Sequence, residues 1–88
     1  MTKEEFVATL DLPFNGEMWN NDYVIKVDTS DDFSYLYNLI SNDSGLTLDD
    51  KSVTTSDNAL FTFYNDEYEV RLTADFSKDI YRLTVSDR

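Results

Sequence analysis

A chain of 88 residues with 41% hydrophobic and 15% aromatic side chains has enough apolar surface for one core and too little length for two. Its formal charge is -11, from 18 acids against seven bases, which sets it against nucleic acid and anionic membranes as direct ligands. With neither cysteine nor histidine it lacks disulfides, thiolate metal sites, imidazole ligands and the usual nucleophile–base pairs, so we expect no enzyme and no cofactor.

The N-terminal stretch TKEEFVATLDL sets Thr2 three residues before Glu5, the capping-box spacing, and puts Phe6, Val7 and Leu10 on one side of a short helix. LPFNGEMWNN breaks that helix at Pro13, and Asn15-Gly16 suits a tight turn. In DYVIKVD, Tyr23, Ile25 and Val27 share one face and Lys26 takes the other, which predicts a first strand. A second helix follows, with Ser30 as expected N-cap and Asp31 and Asp32 in its first turn. Its core-facing residues are Phe33, Leu36, Tyr37 and Ile40, and it ends near Gly45 in a left-handed cap.

From about Lys51 the apolar period falls to two. KSVTTSD predicts a weak strand, while ALFTFY, YEVRLTADF and IYRLTV predict strong ones. A two-residue loop at Asn65-Asp66 would pair Phe63 with Tyr68 and Phe61 with Val70. One at Ser77-Lys78 would pair Ala74 with Tyr81, Leu72 with Leu83 and Val70 with Val85. The opposite face collects Thr62, Tyr64, Glu67, Glu69, Arg71, Thr73, Arg82 and Thr84, an ordinary solvated surface. The expectation is a single α+β domain, residues 1–88. It has the order α-β-α-β-β-β-β and one antiparallel sheet of four to five strands. The sheet ends in a C-terminal meander, and both helices pack on one face.

No catalytic or metal motif is present. An EF-hand loop started at Asp28 would put Phe33 where glycine is needed and Leu39 where the bidentate acid is needed. Charge is the remaining signal. Residues 1–50 hold 11 acids and two bases, net -9, and Val27 to Asp50 contain six aspartates without a base. Eleven charges match about 19 Å of duplex DNA, and a domain of this length is expected to be about 30 Å across, so the two charge densities are comparable.

The acids Asp22, Asp28, Asp31, Asp32, Asp43, Asp49 and Asp50, beside Tyr35 and Trp19, make the chain resemble small acidic phage-encoded inhibitors of the anti-CRISPR or anti-restriction DNA-mimic type. The resemblance is one of composition and implies no aligned motif. It implies that these nine residues bind a basic nucleic-acid-binding protein, such as a CRISPR effector nuclease, and block its nucleic-acid surface. It further implies a cytoplasmic protein, monomeric or homodimeric, that touches neither nucleic acid nor membrane itself. Two alternatives are an immunity protein against a nuclease toxin, and an assembly domain that dimerises through an edge of the sheet, at the first strand or at KSVTTSD.

Overall fold

The computed structural model describes all 88 residues as two helices laid on one face of a seven-stranded antiparallel sheet. The elements in chain order are α1 (Lys3–Thr9), β1 (Glu17–Trp19), β2 (Asp22–Val27), α2 (Ser30–Asp43), β3 (Thr47–Leu48), β4 (Val53–Thr54), β5 (Asn58–Tyr64), β6 (Tyr68–Asp75) and β7 (Ile80–Asp87). The sheet order is β1-β2-β7-β6-β5-β3, with β4 also on the free side of β5. The α+β class is as expected. The strand count is higher because three short edge pieces join the four long strands.

Helix α1 begins as its sequence dictates. The Glu5 N–H donates to Thr2 Oγ1 (3.1 Å) and the Thr2 N–H returns to Glu5 Oε1 (2.8 Å). That bond to the Thr2 amide holds the Glu5 carboxyl below the usual carboxylate range. The N-cap of α2 is Thr29 rather than Ser30, because the Thr29 hydroxyl accepts from the Asp32 N–H (3.1 Å). Gly45 follows the helix with φ 74°, the expected left-handed stop.

The core is one cluster: Phe6, Val7 and Leu10 from α1, Phe33, Leu36 and Ile40 from α2, and alternate residues of the four long strands. Helix α1 lies over β2 and β7, and α2 lies over β7 and β6. Leu36, Ile40, Ile25, Val70, Leu72, Leu83 and Val85 have no exposed surface. At about 25 cal/mol per Å² of apolar area, burying side chains of this size contributes roughly 1.5–3 kcal/mol each, so the layer contact dominates stability. Burial also pushes the Tyr68 and Tyr81 hydroxyls up, and Tyr81 donates to Asp79 (2.9 Å).

Two registers were predicted for the meander, and one is corrected. Between β6 and β7 the pairs are Ala74–Tyr81, Leu72–Leu83 and Val70–Val85, as expected, although the connection is a four-residue turn over 76–79. Between β5 and β6 the pairs are Phe63–Val70 and Phe61–Leu72, a shift of two. The cause is Asn65, whose Oδ1 accepts from the N–H groups of Glu67 (2.8 Å) and Tyr68 (2.7 Å) and moves the loop to Asp66-Glu67. A shift of two keeps the same side chains inward.

The β1–β2 hairpin is a further correction. It turns at Asn20 and Asn21, whose φ values of 49° and 71° suit the hairpin turns that asparagine tolerates. Its arrival covers β2, so the first predicted strand is not a sheet edge. Gly16 lies so close to β2 that an added Cβ would stand 2.5 Å from the Val24 carbonyl oxygen. Its N–H donates to the Tyr23 hydroxyl (3.1 Å). Close approach, rather than the tight turn expected at Asn15-Gly16, is what requires glycine there.

Candidate functional site

The nine residues singled out from the sequence fall into three places. Asp28, Asp31, Asp32 and Tyr35 gather at the N-terminal end of α2. Asp43 closes the same helix, about 18 Å further along its axis. Asp49 and Asp50 sit in the turn between β3 and β4 at the sheet edge, where Asp49 Oδ1 accepts from the Lys51 N–H (2.8 Å). Trp19 and Asp22 pair across the β1–β2 hairpin with side chains on the face opposite the helices.

The α2 end is therefore the local cluster. Tyr35 is 51% exposed, since it stands outside the Phe33/Leu36/Ile40 stripe, and its ring meets the Phe14 ring edge to face at 6.3 Å. Pro13, Phe14, Asp31, Asp32 and Tyr35 line one shallow depression. Sequence reasoning did not reach Phe14 and Pro13, because only the path of the loop after α1 brings them to α2. The arrangement is a carboxylate rim around an aromatic floor, suited to basic, aromatic-tolerant side chains such as arginine.

Charge in the folded molecule divides by layer. The helices and their flanks carry Glu4, Glu5, Asp11, Asp28, Asp31, Asp32 and Asp43 against a single base, Lys3, and Lys3 is tied to Asp87 at 2.9 Å. The strand residues on the helix-free face carry four acids (Glu17, Asp22, Glu69, Asp75) and three bases (Lys26, Arg71, Arg82), net -1. The remaining 14 acids and four bases, net -10, lie elsewhere. That face also bears Trp19, Val24, Val53, Leu60 and Ile80, so it is more apolar than the solvated surface expected from Thr62, Tyr64, Glu69, Arg71 and Thr73 alone. On it, Asp75 is held below the ordinary carboxylate range by the Ser77 hydroxyl, which donates at 2.7 Å.

No three carboxylates converge as metal ligands, and no helix is long and apolar enough to cross a membrane. The class defined by this geometry is a small α+β domain with an acidic helical layer and a nearly neutral open sheet. Comparisons with protein-family models, with curated proteins and with solved structures find no match for the chain.

Proposed function

We propose that this is a non-catalytic acidic binding protein that occupies the nucleic-acid surface of a basic partner, such as a nuclease, through its helical layer. What supports the reading is the separation of charge: seven acids stand on the two helices and their flanks, with their one base already engaged by Asp87. The molecule measures 36 × 27 × 24 Å, so its -11 charge is spread over a length close to that of the duplex segment of equal charge. Carboxylates at Asp28, Asp31 and Asp32 would take the places of phosphates against lysine and arginine, while Tyr35 and Phe14 supply apolar contact. Such a surface steers association and weakens steeply with salt.

The test is capture of binding proteins from a lysate of the source cells on the immobilised chain, with DNA challenge and graded salt, followed by affinity measurement on the purified partner. The reading expects a basic nucleic-acid-binding protein that excess DNA displaces. It also expects the pair Asp31→Lys and Asp32→Lys to weaken that partner at least tenfold. Capture indifferent to DNA, or to both reversals, would place function elsewhere.

A further inference from the structure

We infer that the helix-free face of the sheet is a self-association surface, on which two copies pack sheet to sheet. This goes beyond the proposed function and uses the opposite side of the molecule. The argument starts from electrostatics. At -11 per copy, two chains that approach through helices or loops bring like charge together, whereas the open face carries only -1 and has acids and bases interspersed.

The placement of those charges is self-complementary. Across five strands, Lys26, Arg82, Thr73, Leu60 and Val53 stand side by side in one row. Four residues along β7 from Arg82 lies Ser86, and the row at that level holds Glu69 and Tyr64, with Asp22 and Trp19 at the hairpin end. A two-fold axis running across the strands through the Thr84–Arg71 row exchanges these two rows. It therefore sets Lys26 and Arg82 of one copy against Asp22 and Trp19 of the other, twice over. Each copy gains opposite-charge pairs and cations on an indole face, and the sheets meet in the aligned packing common to sandwiches.

Shape and area agree with this. Trp19 projects with 66% of its surface exposed, and the same face holds a groove of about 380 Å³ bordered by Val53, Leu60, Thr73, Ile80 and Arg82. Six strands side by side and eight residues long present roughly 24 × 26 Å, or about 1,200 Å² buried over two copies, at the lower limit for a specific interface. A dimer that dissociates on dilution follows. Its salt response is opposite in sign to that of the acidic surface, because screening relieves repulsion between two chains of -11 each.

Sedimentation velocity from micromolar to millimolar protein, at about 50 and about 500 mM salt, tests the inference. Trp19 is the sole tryptophan, so its emission reports the face without any substitution. The expected result is a concentration-dependent dimer, strengthened by salt, with a blue shift of Trp19 emission that tracks dimer mass. Arg82→Asp and Asp22→Arg, both at exposed or half-exposed positions, should each weaken the dimer at least tenfold, and the double variant should regain it. Asp31→Lys with Asp32→Lys should leave it intact. A monomer throughout, or a dimer with unshifted Trp19 or indifferent to Arg82→Asp, would overturn the inference. So would Trp19 that shifts only when a different protein is added.

Discussion

The two sides of this molecule solve opposite problems with the same acidic composition. On the helical side, α2 uses one stripe for burial and leaves Asp31, Asp32 and Asp43 in water, so charge accumulates without opposition. On the open face, strand alternation sends every second residue outward, and β6 and β7 put Arg71 and Arg82 next to Thr84 and Thr73, which keeps the sheet near neutrality. A helix spaces its solvent-facing side chains widely around an axis. A sheet holds its neighbours about 5 Å apart, where uncompensated like charge would destabilise the pairing itself.

The contrast rests on the helical layer's being held to the sheet by few residues, and the largest expected effect comes from cutting there. Leu36→Ala removes a fully buried side chain between α2 and the β6–β7 pair, and should cost about 2–5 kcal/mol in chemical denaturation. Amide exchange should then show α2 opening before the β6–β7 core, and a loss below about 1 kcal/mol would mean that the layers are not joined chiefly by this contact. A smaller effect, about 1–3 kcal/mol, is expected from Gly16→Ala, because the new methyl meets the Val24 carbonyl, which cannot yield without disturbing the hairpin. That variant should lower thermal stability while Trp19 emission reports a displaced β1.

The smallest effect concerns pH. Glu5 is ionised more readily in the folded chain than in the unfolded one, so its contribution is fully present above the ordinary value of 4.5 and is lost as pH falls through its lowered folded value. Denaturation of Glu5→Gln and of the parent chain should differ near neutral pH and converge in strong acid. Curves that stay parallel throughout would show that the capping box acts without its charge.

Much of this architecture is legible in the residues. The Thr2/Glu5 pair, the Phe33/Leu36/Ile40 stripe and the alternation through Val70, Leu72 and Ala74 each name one local structure, and all three form. The hairpin was hidden because Glu17, Met18 and Trp19 are all exposed and show no alternation; Asn20-Asn21 between two short apolar runs was its only signal. Missing it meant missing which face Trp19 takes, and so the separation of Trp19 and Asp22 from the other seven candidates. Strands β3 and β4 were hard to read for a different reason. Each has two residues, and what positions them is their contact with β5.

That interrupted edge carries a consequence of its own. Between β3 and β4 the chain leaves the ladder, and the Thr62 N–H is satisfied by the Ser52 hydroxyl (3.1 Å) while its carbonyl accepts from Asp49 (2.7 Å). The other edge, β1, is three residues long. Neither margin offers an uninterrupted row of free amides onto which a foreign strand could zip. A chain so rich in strand therefore presents poor seeds for fibril growth, and can be held at high concentration in its native form without templating amyloid.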